Sequence, residues 1–153
     1  MAVALTVDDV VDRAAPPLRG TLLLIGHDAP RMTRVRRLLD AHDGIRLQQV
    51  SSGLEGVQRA LSEPPDLVLL DLRVPDLGGA EVMRRLNGDI ARRGLRVAVL
   101  TAERGTMDTI RAMSLGAYEF WLEPLRQAAF DAGLRRALTG RPPDPACTLQ
   151  RLR

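Results

Sequence analysis

Polar residues that could do chemistry follow directly after several short runs rich in apolar residues. They are Asp71 after residues 67–70, Thr101 after residues 97–100 and Glu123 after residues 118–122. A carboxylate can bind a cation or accept hydrogen bonds, and a hydroxyl can both donate and accept them. A buried strand that ends in aspartate is common in α/β proteins and is weak evidence of function. The role of Asp71 must therefore be inferred together with the segments around it.

The apolar runs have the length and composition of buried strands. Residues 22–25, 67–70 and 97–100 are continuously apolar, which is typical of strands that are covered on both faces. Residues 45–50 alternate between apolar and polar side chains, and residues 118–122 form a fifth short run. The sequence therefore predicts five strands.

Amphipathic segments separate these strands, with apolar residues every three or four positions as on one face of a helix. They contain Met32, Val35 and Leu39; Leu54, Val57 and Leu61; Val82, Met83 and Leu86; Ile110, Met113 and Leu115; and a fifth helix is predicted over Leu125–Leu138. This alternation implies parallel strands joined by right-handed crossovers, with helices on both faces of the sheet. The predicted fold is a doubly wound α/β domain with a five-stranded parallel sheet.

In such a domain, functional residues gather beyond the carboxyl ends of the strands. The residues at those ends are Gly26, His27 and Asp28; Asp71; Thr101 and Ala102; and Glu123 and Pro124. We therefore expect the functional site among them.

The length and composition of the chain indicate one domain, because 153 residues with 45% hydrophobic content suffice for one core and not for two. We expect an N-terminal extension over residues 1–20 with a short helix near residues 7–14, the domain over residues 21–139, and a proline-containing tail or linker over residues 140–153. No run approaches the roughly 20 apolar residues of a membrane helix, so a soluble, cytoplasmic protein is expected. The single cysteine, Cys147, cannot form an internal disulfide.

The positive charge is spread along the chain. All 22 basic residues are arginine, 19 acidic residues balance them, and the formal net charge is +3. The arginines cluster on predicted helices, which is typical of solvated helix faces; the alternative is a nucleic-acid binder that uses this surface. No helix-turn-helix or zinc-finger spacing supports that alternative, and no phosphate loop, nucleophile elbow or zinc motif indicates an enzyme.

Three segments, in order along the chain, carry a resemblance to a known family. Residues 65–79 read Pro-Asp-Leu-Val-Leu-Leu-Asp-Leu-Arg-Val-Pro-Asp-Leu-Gly-Gly, Thr101 and Ala102 follow the next run, and residues 116–124 read Gly-Ala-Tyr-Glu-Phe-Trp-Leu-Glu-Pro. Over residues 21–138 the chain resembles the receiver domains of two-component response regulators, which have a flavodoxin-like fold. The resemblance implies that Asp71 accepts a phosphoryl group from a histidine kinase. It also implies that Thr101 and Ala102 contact the phosphoryl oxygens and that Phe120 is the switch aromatic.

The magnesium site that this resemblance implies is altered. In the family, two acids after the first strand, the phosphoacceptor, and the backbone carbonyl two residues beyond it, here that of Arg73, hold the ion. Without gaps, Gly26 and His27 stand at the two acid positions; an alignment shifted by one residue places Asp28 at the second. Magnesium prefers oxygen ligands in octahedral geometry, so we expect it to bind weakly, if at all. His27 could instead bind a softer metal with Asp28 and Asp71, or be a polar loop residue.

The lysine position is altered as well. Where the family has a lysine that pairs with the phosphoryl group, this chain has Glu123. A phosphoryl group adds nearly two negative charges. Because a unit pair at ~4 Å and an effective dielectric near 20 is worth about 4 kcal/mol, the reversed sign opposes phosphorylation. Arg73 or Arg126 could compensate; alternatively, Glu123 is an exposed acid that pairs with a neighbouring arginine.

The resulting hypothesis is an atypical receiver that signals through protein contacts, with weak or no phosphorylation of Asp71. The family's partner and dimer face corresponds to residues 108–138, which include Phe120 and Trp121. A histidine kinase or another signalling protein is the expected partner, and weakly bound magnesium is the expected cofactor. One alternative is a conventional receiver in which Asp28 and nearby arginines replace the missing groups; the other is the nucleic-acid binder.

Overall fold

The computed structural model describes residues 16–103 and 105–147. The strands in this part of the chain are β1 (Gly20–Ile25), β2 (Ile45–Val50), β3 (Leu67–Asp71), β4 (Val97–Thr101) and β5 (Glu119–Leu122). The helices are α1 (Ala29–Leu39), α2 (Gly53–Ser62), α3 (Gly79–Arg93), α4 (Met107–Ser114) and α5 (Gln127–Leu138), followed by a short 3-10 helix at Pro145–Cys147. The predicted alternation of strands and helices is confirmed. The helix predicted near residues 7–14 lies outside the described residues.

The five strands are parallel and form one sheet in the order β2-β1-β3-β4-β5. The order reverses at β1 and β3, and a doubly wound sheet opens a crevice at such a switch point, beyond its carboxyl edge. Ile25 pairs with Leu70, and Asp71 pairs with Leu100. Asp71 is therefore the last residue of the central strand and lies at this crevice. The predicted doubly wound, flavodoxin-like fold is confirmed.

The sheet is covered on both faces, which explains its continuously apolar strands. Every residue of β3 and β4 is buried. Successive residues face opposite sides, so Leu23 packs with α2, α3 and α4, whereas Leu22 packs with α1 and α5. Full burial of one such side chain contributes roughly 2 kcal/mol, and this two-sided core holds the strand ends in place.

A carboxylate in the loop after β3 anchors that loop to α2. Asp76 accepts the backbone N–H groups of Leu54 and Gly53 at 2.9 and 2.7 Å, and the hydroxyl of Ser52 at 2.9 Å. These donors stabilise the charged form, so the pKa of Asp76 lies well below its usual value. The loop that follows Asp71 is thereby tied to the start of a helix.

Two segments near the end of the domain differ from expectation. α5 begins at Gln127 and not at Leu125, because Arg126 has extended backbone and precedes the first helical turn. Past Gly140, where the sequence predicts a loosely ordered tail or linker, residues 141–147 pack against β5, and Cys147 is buried. None of the described helices is long and apolar enough to cross a membrane.

Candidate functional site

The carboxyl edge of the sheet brings four of the predicted residues around a small cavity. The cavity has a volume of about 80 Å³, and its lining includes Asp71, Arg73, Thr101 and Ala102. It also includes Arg31 from the first turn of α1, which the sequence did not single out. The site is therefore assembled from β3, β4, the loops that follow them, and α1.

Arg31 bridges the two acids that lie at the ends of β3 and β5. Its Nη1 is 2.8 Å from Oδ1 of Asp71, and its Nε is 2.6 Å from Oε1 of Glu123 without the alignment of a hydrogen bond. Arg34, one turn further along α1, lies 3.7 Å from the other oxygen of Glu123. The guanidinium of Arg31 thus lies between the carboxylates of Asp71 and Glu123.

The bridge is almost fully withdrawn from solvent. The side chain of Arg31 is 8% exposed, that of Asp71 1%, and that of Glu123 13%. Burial alone would lower the pKa of Arg31, but the charges of Asp71 and Glu123 outweigh it, so the pKa lies above its usual value. Removing one member of such a buried group leaves an uncompensated charge in the interior, which destabilises the fold.

The two oxygens of Asp71 have different surroundings. Oδ1 accepts the backbone N–H of Arg73 at 2.9 Å as well as the ion pair with Arg31. Oδ2 is buried and has no hydrogen-bond partner among the described residues. Buried polar atoms are rarely left unpaired. Oδ2 is therefore the atom of Asp71 that remains open to a ligand or a covalent group.

The space beside Asp71 at the end of β1 is filled by an apolar side chain. A Cβ atom at Gly26 would lie 2.4 Å from Cε and 2.8 Å from Sδ of Met32, and 3.2 Å from Cβ of Asp71. The thioether of Met32 thus lies where a side chain at position 26 would begin. No carboxylate reaches Asp71 from this position.

The other candidate metal ligands, His27 and Asp28, make no contact with Asp71 among the described hydrogen bonds and ion pairs. His27 is exposed, and Asp28 caps α1 by accepting the backbone N–H of Arg31 at 3.1 Å. Residues 16–103 and 105–147 contain no group of three or more His, Cys, Asp or Glu side chains placed to hold a metal ion. Magnesium needs several oxygen ligands, and here a guanidinium already contacts the available carboxylate. The residues present do not fit a magnesium ion.

The hydroxyl of Thr101 is used within the protein. It donates to the carbonyl of Glu103 at 2.8 Å and accepts from the hydroxyl of Thr109 at 3.3 Å. The hydroxyl of Thr109 also contacts that of Thr106 at 2.8 Å, so three threonines join the end of β4 to the start of α4. Ala102 is exposed at the cavity. A phosphoryl group at Asp71 would have to displace a contact of Thr101 before it could bind this hydroxyl.

The remaining predicted residues make no ion pair with Asp71 or Glu123 in the described part of the chain. Phe120 is buried in β5, 5% exposed. Arg73 and Arg126, which the sequence offered as compensating cations, are both exposed, and the ion pairs of Asp71 and Glu123 in the described residues come from Arg31 and Arg34. One signal could have indicated Arg31: it lies four residues before Val35 and eight before Leu39, on the face of α1 that is otherwise apolar.

Comparisons with known proteins agree with this architecture. The family model for the response regulator receiver domain matches residues 22–135. The transcriptional regulatory protein KdpE of Mycobacterium tuberculosis is 32% identical over 118 residues, which are 77% of this chain and 51% of that protein. The response regulator ArlR of Staphylococcus haemolyticus is 28% identical over 122 residues, which are 80% of this chain and 54% of that protein. The chain spans about half the length of these curated relatives.

Solved structures show the same fold. The receiver domain of a sensor histidine kinase from Pseudomonas aeruginosa, with a magnesium ion coordinated in its active site cleft, superposes with a TM-score of 0.71 at 23% identity, covering 80% of this chain and 99% of that one. A two-component response regulator of the LuxR family from Aurantimonas gives 0.73 at 20% identity, covering 88% and 96%. With an aspartate at the end of the central strand and a family match over three quarters of its length, the chain belongs to the response regulator receiver domains of two-component systems.

Proposed function

We propose that this receiver works with an internal cation in place of the usual metal and lysine, and signals through protein contacts with weak or no phosphorylation of Asp71. The observation that carries the proposal is the buried bridge from Asp71 through Arg31 to Glu123. The sequence suggested that the pocket had lost positive charge. Among the described residues Arg31 is the cation that contacts Asp71, and Glu123 shares it.

Charge balance explains why this arrangement disfavours phosphorylation. Phosphoryl transfer depends on cations that neutralise the charge developing on the transferred group. Arg31 faces Asp71 and Glu123, and a phosphoryl group would add nearly two further negative charges beside them. To neutralise that group, Arg31 would have to leave Glu123, which would then be left with the more distant and half-exposed Arg34.

The signalling role rests on the family and on what the site retains. By the resemblance to the family, Asp71, Thr101 and Phe120 correspond to the residues that couple its site to its partner surface. We propose a histidine kinase or another cytoplasmic signalling protein as the partner, and the face over residues 108–138 as the contact region, including any homodimer. Binding and not catalysis is the proposed activity.

The decisive experiment measures phosphorylation of Asp71 and the binding of beryllofluoride, a phosphoryl mimic, to it. The purified chain is incubated with magnesium and a small phosphodonor, and its intact mass is followed; in parallel, beryllofluoride is titrated while the fluorescence of Trp121, the single tryptophan, is recorded. We expect neither a phosphoryl adduct nor a saturable fluorescence change. Saturable binding at low millimolar magnesium that is lost in Asp71→Asn would refute the proposal.

A second variant tests the role of the bridge directly. The combined substitutions His27→Asp, Arg31→Gln and Glu123→Lys remove the internal cation and return an acid and a lysine to their family positions. If the bridge is the obstacle, this variant should gain a phosphoryl adduct that the natural chain lacks. The open Oδ2 of Asp71 is the observation that favours the conventional alternative, and equal phosphorylation of both chains would support it.

A further inference from the structure

The segment that follows α5 folds back over β5, the edge strand of the sheet. We call residues 141–147 the strap. Gly140, with a φ of +75°, turns the chain out of α5. Cys147, at the far end of the strap, is 9% exposed and packs in the same core cluster as Phe120. The strap therefore crosses the surface and is anchored in the core.

Polar contacts hold the strap at Tyr118, directly before β5, and at the first two residues of β5. The hydroxyl of Tyr118 donates to the carbonyl of Arg141 at 2.7 Å, the backbone N–H of Asp144 donates to Oε2 of Glu119 at 2.9 Å, and the thiol of Cys147 donates to the carbonyl of Phe120 at 3.4 Å. A carboxylate oxygen of Asp144 also lies 4.0 Å from Arg136. Every third residue of the strap, at positions 141, 144 and 147, thus contacts one of three consecutive residues at positions 118–120.

The seat of the strap is loosely filled. A cavity of about 300 Å³ lies between the strap, β5 and α5, and its lining includes Trp121, Leu125, Ala129 and Ala146. The strap thus leaves part of this surface groove unfilled. Arg141, Pro142, Pro143 and Pro145 remain exposed, and a proline-rich segment loses little conformational freedom when it binds. The strap therefore resembles a docked ligand more than a part of the core.

We propose that the groove between β5 and α5 is a peptide-docking surface, that the strap is its ligand, and that the seated strap closes this face of the receiver to other peptides. In the groove, the buried carboxylate of Glu119 accepts a backbone N–H, and the guanidinium of Arg136 faces an acidic side chain. Three positions later along the ligand, an apolar hole beside Phe120 takes a small side chain. Asp144 and Cys147 match these features in type and spacing. The proposal is independent of the chemistry at Asp71.

The single cysteine of the chain reports whether the strap is seated. We expect the thiol of Cys147 to react with a disulfide reagent at least tenfold more slowly in the native protein than in denaturant. Asp144→Ala removes the contact with Arg136 and the side-chain bond to the N–H of Ala146, so it should raise the native rate by about tenfold.

Arg59→Ala is the matched control, because it removes an exposed ion pair on α2, far from the strap. It should leave the thiol rate unchanged, and far-ultraviolet circular dichroism should report an intact fold in both variants. A native thiol that reacts as fast as the denatured one would overturn the proposal. So would an Asp144→Ala variant that reacts at the natural rate.

A peptide titration tests whether the groove binds the strap in trans. The full chain with Cys147→Asp carries a charge that cannot occupy the apolar hole, so its strap is displaced. A fluorescent peptide with the sequence of residues 141–147 and alanine for the cysteine should bind this variant at least tenfold more tightly than it binds the natural chain. Binding to neither protein, or equal binding to both, would contradict the proposal.

Discussion

Two glutamate–arginine pairs flank β5, one at its first residue and one directly after its last, and they differ in how fully their polar atoms are used. At the first residue, Oε1 of Glu119 accepts from Trp121 at 2.8 Å and from Nη2 of Arg136 at 2.9 Å. Oε2 accepts from Nε of Arg136 at 2.8 Å and from the N–H of Asp144 at 2.9 Å. Both oxygens of this fully buried carboxylate are doubly hydrogen-bonded.

The pair at the other end of β5 is incomplete. Arg31 serves Glu123 and Asp71 together, its Nε lacks a well-aligned hydrogen bond, and Oδ2 of Asp71 has no partner among the described residues. A fully satisfied buried network rigidifies a fold, whereas a partly satisfied one stores a cost that a change of state can relieve. The comparison teaches that Glu119 has a structural role, while the bridge at Arg31 retains the character of a functional site.

The largest effect should come from breaking the satisfied pair. Glu119→Ala leaves the guanidinium of Arg136 partly buried without its carboxylate and removes the acceptor of Trp121, so the free energy of unfolding should fall by about 3 kcal/mol. Urea denaturation followed by far-ultraviolet circular dichroism measures it. The matched control is Glu55→Ala, whose exposed pair with Arg59 is worth at most about 0.5 kcal/mol. Equal losses in the two variants would refute the structural role.

The bridge should show strong coupling between its members. A double-mutant cycle of Arg31→Met and Glu123→Met should give an interaction free energy of about 1–3 kcal/mol, because the two side chains share one desolvated contact. Urea denaturation of the four proteins provides the four free energies. Additive effects would mean that the contact contributes nothing to stability in solution.

The anchor of the loop after β3 should show a pH-dependent effect. The pKa of Asp76 is lowered in the folded protein, so its contribution to stability is full above the unfolded value, about 3.9, and is lost as the pH falls towards the folded value. Asp76→Asn should therefore lower the Tm by a few degrees at pH 7, and the two melting curves should converge at acid pH. A difference that stays constant between pH 7 and pH 3 would contradict this.

The smallest effect should come from the outer arginine of the bridge. Arg34 is 55% exposed and lies 3.7 Å from Glu123, so Arg34→Ala should change the free energy of unfolding by no more than about 0.5 kcal/mol. Thermal melting of Arg34→Ala and of Arg31→Met compares the contributions of the two arginines to stability. If Arg34→Ala costs as much as Arg31→Met, the burial of Arg31 is not what sets the strength of the bridge.

Most of the fold could be predicted from the sequence, because its signals are local. The runs 67–70 and 97–100 are apolar at every position since both faces of β3 and β4 are covered, and the spacing of Met32, Val35 and Leu39 reflects one buried helix face. Parallel order then places Asp71 and Thr101 at one edge of the sheet. The positions of Asp71 and Thr101 could therefore be predicted once the ends of the strands were known.

The bridge and the strap could not be predicted in the same way. Arg31 lies four residues before Val35 and eight before Leu39, so its spacing puts it on the buried face of α1, unlike Arg34, Arg36 and Arg37. That spacing does not show which acids the side chain contacts. The strap has no period that a pattern could detect, and its contacts join residues about 25 positions apart in the chain, such as Asp144 and Glu119. Both features depend on tertiary contacts between side chains and not on local preference.

The methionine beside Gly26 constrains the order in which a conventional acidic site could arise in this background. A new carboxylate at position 26 would collide first with the thioether of Met32, which is 1% exposed and part of the core, and only afterwards could reach a cation. Substitutions at 26 and 32 should therefore be coupled: an acid at 26 requires the flexible end of Met32 to move, and a shorter side chain at 32 removes that requirement.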